Sequence, residues 1–384
     1  ELDARANQLA ANLEQTAIGP GSTVAIFLPR SIDAVVALLA CLKSGAAQLP
    51  ISMNYPISFI EFILDDAKPN LILTGDEVAF DSSIDTLRVD RLAFHAPRDL
   101  PTSTDWPGDA PAWILYTSGS TGRPKAVKGL HHGIIQRCES LWALQPFLEH
   151  EVAIQNTALT VVDSHWEIWG PLSKGIPVVL LDDDINQDPR RLVKSLRKFK
   201  VTRICLVPSL LRSMLTTADD LGLELPHLKQ WIVSGEPLSS DLVRLFYQSF
   251  PDAILRNQYG LTETSADITS FDTSLLNSYS MKTEFVPIGS PFPGVDAHIL
   301  DENLMPVADG VEGELFIAGD CVVDGYLNRP DLSTERFLTN TFFAAGGSLL
   351  STGDLAYRLE NGDIFVSGRA DRQVKVRGYR VELD

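Results

Sequence analysis

The stretch LYTSGSTGRPKAV, residues 115–127, decides how this chain is read. Apolar residues ending at Tyr116 have the look of a buried strand, and TSGSTG follows directly. Glycines let backbone N–H groups converge on one point, and Thr117, Ser118, Ser120 and Thr121 add hydroxyl donors around Gly119 and Gly122. Lys125 supplies a fixed positive charge. Such a strand-to-loop junction is suited to gripping phosphate. It is neither GxxxxGK[ST], because Lys125 lies between proline and alanine, nor GxGxxG. A flexible Gly/Ser linker is the alternative, but a linker has no need of a preceding strand or a lysine.

Outward from this loop the texture is alternating. STVAIFLP, PNLILTG, GIPVVLL, VTRICLVP and KQWIVSG read as strands. SIDAVVALLACLKSGA, FIEFILDDA, DPRRLVKSLRKFK, SLLRSMLTTA and SSDLVRLFYQSF read as helices. LPISMNYP reads as a turn-rich exit, and 78–108 as an irregular surface connection. Strand–helix alternation predicts parallel sheets covered by helices, with ligands at the carboxyl ends of the strands. From about 285 the pattern changes to short strands separated by turns (DAHILDE, GELFIAG, LLSTGDLAYRLE, GDIFVSG), which predicts an antiparallel, barrel-like unit. The fold class expected is therefore α/β: two helix-covered, mostly parallel sheets plus a β-barrel-like subdomain.

The 384 residues carry a net charge of −18, against a phosphate-backbone binder, so no nucleic-acid partner is expected. No apolar run is long enough for a membrane helix and no secretory h-region opens the sequence, so a cytoplasmic protein without a membrane partner is expected. Cys41, Cys138, Cys205 and Cys321 form no CxxC pair and read as reduced thiols. The His131–His132 pair has no ligand-spaced partner for a metal.

Six ordered stretches carry a family resemblance. YTSGSTGRPKAV (116–127) is joined by LKSGAAQLPISMNYP (42–56), NQYGLTET (257–264), GELFIAGDCVVDGYLNRPDLSTERF (313–337) and STGDLAYRLENGDIFVSGRADRQVKVRGYRVEL (351–383). Together with TALTVVDSHWEIWGPLSKG (157–175), they resemble the adenylate-forming superfamily, in its nonribosomal peptide synthetase branch. The resemblance implies that a carboxylate and ATP give an acyl-adenylate and pyrophosphate, followed by transfer to the phosphopantetheine of a carrier-protein domain in the same polypeptide. It implies roles as well. Thr117 to Gly122 and Lys125 would clamp the outer phosphates. Glu263 would hold Mg2+, Thr262 would contact the α-phosphate and Tyr259 would stack on adenine. Asp354 would take the ribose hydroxyls, with Arg369 beside the ribose or phosphates. Asp371 would be the hinge. The expected organisation is an N-terminal core over 1–370, with its barrel-like part at about 285–370, and the hinge plus the start of a C-terminal subdomain at 371–384. The family's adenylation lysine would lie beyond Asp384. Two departures stand out: Ala126 where glycine is usual, and Leu261 where proline is usual.

The acid pocket carries over as Val162, Asp163, Trp166, Cys205, Ile232, Ser234, Gln258, Ala266 and Asp267. Where the family places the aspartate that holds an α-ammonium, this chain has Val162, and the carboxylate comes one step later at Asp163. On a helix that step moves it about 1.5 Å along the axis and about a third of a turn around it. This suits an ammonium one methylene further from the reacting carboxylate. The series resembles the β-alanine pattern of peptide-synthetase adenylation domains, and of β-alanyl-amine synthases in particular. Three alternatives stay open: Asp163 capping a helix that starts near Ser164, an α-amino or other small acid anchored by Asp267, and a degenerate nucleotide-binding scaffold.

Overall fold

The computed structural model describes residues 1–75, 83–91, 106–118, 123–186, 188–217, 220–278, 284–340 and 347–370, together with the backbone of 373–376 and 379–382. The first sheet is built from β1 (Thr23–Phe27), β2 (Ala47–Pro50), β3 (Leu71–Thr74), β4 (Thr86–Arg88), β5 (Pro111–Thr117) and β6 (Lys125–Leu130), in the order β4-β3-β1-β2-β5-β6. All its pairs are parallel except β5–β6. Helices α1 (Leu2–Gln15), α2 (Ile32–Ser44) and α3 (Ile57–Ala67) serve this sheet. Helix α2 shows why the chain breaks where it does. Ser31 accepts from the Ala34 N–H at its start, and Gly45 closes it in the left-handed region at φ 76°. Two readings are corrected here. The 47–50 segment is a fully buried strand, because every residue in it is covered by core. The described part of 78–108 adds an edge strand, β4, paired in parallel with β3.

Helix α4 (His131–Leu144) leads into the second sheet: β7 (Ala153–Gln155), β8 (Val178–Leu180), β9 (Arg203–Leu206), β10 (Gln230–Val233), β11 (Ile254–Leu261), β12 (Ala266–Asp272) and β13 (Ser290–Pro291). Its order is β13-β12-β11-β10-β9-β7-β8, parallel from β11 to β8 and antiparallel at β12 and β13. The intervening helices are α5 (Asp163–Leu172), α6 (Asp183–Asn186), α7 (Pro189–Phe199), α8 (Pro208–Thr217), α9 (Leu221–Glu224) and α10 (Ser240–Ser249). Trp231, Phe246 and Leu255 are fully buried in the core between this sheet and its helices.

The remaining strands, β14 (Val295–Leu300), β15 (Gly313–Gly319), β16 (Phe337–Thr339), β17 (Ser348–Arg358) and β18 (Ile364–Arg369), form an antiparallel sheet around β17, with α11 (Pro330–Arg336) before β16. A hairpin of β19 (Gln373–Val376) and β20 (Tyr379–Glu382) follows. No described helix is long and apolar enough to cross a membrane. The α/β class with two mostly parallel sheets matches the expectation.

Candidate functional site

Strand β11 organises the site, because both of its faces and its carboxyl end carry chemistry. Residues at successive positions of a strand point to opposite faces. Gln258 accepts from Arg137 on one side, while the Tyr259 hydroxyl donates to Asp354 on the other. Asp354 also pairs with Arg369 across the β17–β18 register, at 2.6 Å. The residue expected at adenine, Tyr259, and the two expected at the ribose, Asp354 and Arg369, are thus brought together. Burial pushes the Tyr259 phenol well up, so it stays protonated and donates.

Past Leu261 the chain makes a short turn over Thr262–Thr264. Proline has no N–H, so leucine here permits a bond that proline forbids: the Leu261 N–H donates to Thr264 Oγ1 at 2.9 Å. The turn carries Glu263 inward, where it is almost wholly buried. Lys125, the first residue of β6, stands across from Thr117 in the register and fixes the two ends of the 118–124 loop. Its ammonium lies 3.1 Å from Glu263 Oε1. Tyr326 completes a triad: its hydroxyl accepts from Lys125 Nζ at 2.8 Å and donates to Glu263 Oε1 at 2.8 Å, with the Lys125 Nζ 4.2 Å from its ring centroid. The GYLNRP stretch contains Tyr326, but sequence reasoning gave it no role. Gly119, Ser120, Thr121 and Gly122, like Asp371, the expected hinge, lie outside the described residues. Ala126 is fully buried in β6, so the methyl it adds is accommodated in the core.

Several of the residues expected at the acid end border a cavity of about 810 Å3, lined by Asp163, Cys205, Ser234, Gly235, Asn156 and Ser209, among others. Helix α5 starts at Asp163, with Val162 as its N-cap. Asp163 is therefore not the cap. It is already helical (the first residue of the first turn), and its side chain lines the cavity. Val162 packs instead in a buried cluster with Trp113 and Ala266. Trp166 and Ile232 lie behind Cys205, around a small void of about 10 Å3. Ala266 sits at φ 92° after Ser265 at φ 54°, and this irregular backbone presses against Gly260, where any Cβ would come within 2.0 Å of the Ala266 carbonyl oxygen.

Asp267 is occupied. Arg137 Nη2 lies 2.7 Å from its Oδ2, Ser234 Oγ donates to its Oδ1, and all three groups are buried. This carboxylate, one of the alternatives for anchoring a substrate ammonium, already has a resident cation. Arg137 lies in α4, outside every motif, so nothing in the sequence flagged it. Glu167 was also missed. It accepts from the Gln155 side chain, the Asn156 and Thr157 N–H groups and the Thr157 hydroxyl, locking the loop after β7 to α5. Burial nevertheless pushes its carboxyl up to about 7.

His131 and His132 open α4, and neither lines the cavity. His165 is buried against Trp113, with Nε2 3.2 Å from the Gln48 amide, and burial pushes its pKa down to about 4. The neutral ring adds no charge beside Asp163. Among the described residues, no group of three or more His, Cys, Asp or Glu side chains is arranged to hold a metal.

Comparison with known proteins identifies the family. A family model described as AMP-binding enzyme matches residues 1–327. The chain is 37% identical over 378 residues to the beta-alanyl-bioamine nonribosomal peptide synthetase ebony of Drosophila melanogaster, covering 94% of this chain and 42% of that protein. It is 34% identical to zwittermicin A synthase ZmaJ of Bacillus cereus, covering 100% of this chain and 73% of that protein. Against several other curated relatives it spans well under half of their length. Among solved structures, the Klebsiella oxytoca NpsA N-terminal subdomain in complex with 3-hydroxybenzoyl-AMSN superposes with a TM-score of 0.84 at 29% identity, covering 96% of this chain and 92% of that one.

Proposed function

The chain belongs to the AMP-binding enzyme family, as an adenylation domain of the nonribosomal peptide synthetase kind, and from that premise we propose that the acid it activates is β-alanine. One observation carries this reading. Asp163 lines the acid cavity, whereas Asp267 is held by Arg137. The ammonium of a short β-amino acid reaches Asp163, one helical step from the position now filled by Val162. Its carboxylate then faces the nucleotide end.

In the reaction, a carboxylate oxygen attacks the α-phosphorus of ATP. The acyl–oxygen–phosphorus link forms and the bond to the departing pyrophosphate breaks. Two anions must meet, so positive charge and hydrogen-bond donors aimed at the phosphates are what the site has to supply. Lys125 is the buried cation that serves this need, and Thr262 offers a hydroxyl at the turn. Asp354 and Tyr259 serve the ribose and adenine, with Arg369 steadying Asp354. A magnesium ion, when bound, neutralises phosphate oxygens, and Glu263 is the hard-oxygen donor that would hold it. A single protein carboxylate fits this ion, which is commonly completed by phosphates and water. The aminoacyl group would then pass to a carrier-protein phosphopantetheine thiol. A structure of NpsA–ThdA, an artificially fused adenylation–carrier di-domain from Klebsiella oxytoca, matches this chain with a TM-score of 0.89 at 29% identity and supports such a partnership.

The size of the cavity favours a second reading, a β-amino acid with a substituent. About 810 Å3 falls in the range that holds drug-sized ligands. ATP–pyrophosphate exchange in the full-length protein, over a panel of β-alanine, substituted β-amino acids and α-amino acids, separates the two. Asp163→Ala removes one partner of a desolvated charge pair, a change worth about 2–5 kcal/mol, so kcat/KM for the β-amino acid drops by about 30-fold or more. An Asp163→Ala enzyme with unchanged rate and KM ends the anchor role.

A further inference from the structure

We infer that Glu167 is a positioning residue for acid binding: its ionised carboxylate holds Asn156 and Thr157 in the arrangement in which they wall the cavity. This rests on the reading above that the activated acid enters that cavity, and deepens it. Glu167 lies one turn beyond Asp163 on α5, on the same face by i,i+4 spacing. Its Oε2 accepts from the Asn156 N–H at 3.1 Å, the Thr157 N–H at 2.8 Å and Gln155 Nε2 at 3.2 Å, and its Oε1 accepts from the Thr157 hydroxyl at 2.8 Å. Asn156 and Thr157 both line the cavity. Asn156 carries the hold further. Its side chain donates to the Cys205 carbonyl oxygen, and its own carbonyl oxygen accepts from the Asn186 side chain. Cys205 and Asn186 line the cavity too. One buried carboxylate thus sets a loop to which the neighbouring walls are tied.

The hold depends on charge. Hydrogen bonds to an ionised group are about twice as strong as neutral ones. Oε2 already takes three donors, so an added proton goes to Oε1, and the Thr157 hydroxyl has to turn round to accept it. The loosened wall must then be ordered when the acid binds, and that cost weakens binding. Burial pushes the Glu167 carboxyl up to about 7, against the pull of its bonds to Thr157 and of the Arg30 charge, so the change falls near neutral pH. Arg30, paired with Asp183, faces it from just after β1. Arg203, paired with Glu151, and the Cys205 thiol come from β9; Arg137, paired with Asp267, comes from α4; Asp163 and His165 share its helix. Burial holds the Cys205 thiol and the His165 ring neutral across this range.

The test follows the KM for the acid in pyrophosphate exchange, at saturating ATP and magnesium, as pH is varied across neutrality. It uses the full-length protein and β-alanine, or whichever acid the substrate panel identifies. In the wild type the acid KM rises about threefold or more as pH falls from about 8 to about 6, because the ionised share of a group titrating at about 7 drops about tenfold over that span. Glu167→Gln imitates the neutral carboxyl at every pH. Its acid KM is already raised at the alkaline end and stays flat, while its KM for ATP matches that of wild type at each pH. Thr157→Val removes a bond that favours the carboxylate, so the midpoint of the profile moves to higher pH. A merely structural role would move the KM values for acid and ATP together and would follow no single titration. Four results overturn the inference: a flat acid KM in the wild type, a Glu167→Gln profile that rises in parallel with it, acid and ATP KM values that shift together in that variant, or a Thr157→Val midpoint that stays or moves down. If Glu167→Gln does not fold, the wild-type profile and the Thr157→Val midpoint decide. Failure of the anchor shows separately, as an unchanged acid KM in Asp163→Ala, and the profiles of wild type and Glu167→Gln still decide the role of Glu167.

Discussion

Tyr326→Phe isolates one hydroxyl at the phosphate end of the site. The phenylalanine ring keeps the edge contact with Phe337 and stays under the Lys125 ammonium. What is lost is a pair of 2.8 Å hydrogen bonds, one from Lys125 and one to Glu263. Each bond to a charged group is worth about 1.5–3 kcal/mol. The Lys125–Glu263 pair persists at 3.1 Å, so neither charge is orphaned and the combined loss falls near the lower end, at about 2–3 kcal/mol. Unfolding entropy of about 2.1 cal/mol/K per residue, scaled to 384 residues, converts this to a fall in melting temperature of about 3 °C. Differential scanning fluorimetry reads that shift. Calorimetric titration with ATP and magnesium reads the second consequence: affinity weakens several-fold, because Lys125 and Glu263 are no longer held in one arrangement. A variant within about 1 °C of wild type that binds nucleotide equally well would refute the view that this hydroxyl organises the pair.

Two further tests address stability. His165 has a pKa pushed down to about 4, against an unfolded value near 6.5. Its contribution is complete above pH 6.5 and is lost as pH falls through that value towards 4, by about 3 kcal/mol in all. His165→Gln should flatten that acid limb in urea titrations between pH 7 and 4, and an unaltered limb would reassign it to other groups. Leu261→Pro restores the more usual family residue, yet it should destabilise the protein by more than about 1 kcal/mol, measured by urea midpoint. Leu261 has φ −132°, far from the proline value, and its N–H is in use. A neutral outcome would mean that the turn relaxes.

The fold was legible where periodicity and punctuation coincide. Ser31 and Gly45 bracket α2, and the strand–helix alternation gave both parallel sheets. Strand β2 was hidden because Pro50 and the turn residues after it resemble a loop. Its strand character comes from parallel neighbours on both sides, which a local window does not contain. In the site, residues inside ordered motifs could be named and their neighbours could not. Tyr259 and Asp354 were expected at one nucleotide, and they touch. Asp267 was read without Arg137, because the two are 130 positions apart in the chain and the helix that carries the arginine has no signature. A buried charge always implies a partner, but sequence does not say which of 32 lysines and arginines it is.

The pleat of β11 has a consequence for how such a chain diversifies. Gln258 faces Arg137 on one side of the strand and its neighbour Tyr259 faces Asp354 on the other, which under the proposed function are the acid's side and the nucleotide's. Substitutions at every other position can retune what is selected while the energy-supplying half stays untouched, as if two dials shared one spindle. Losing a single residue from this strand would turn each dial to the wrong face, and both halves would fail together.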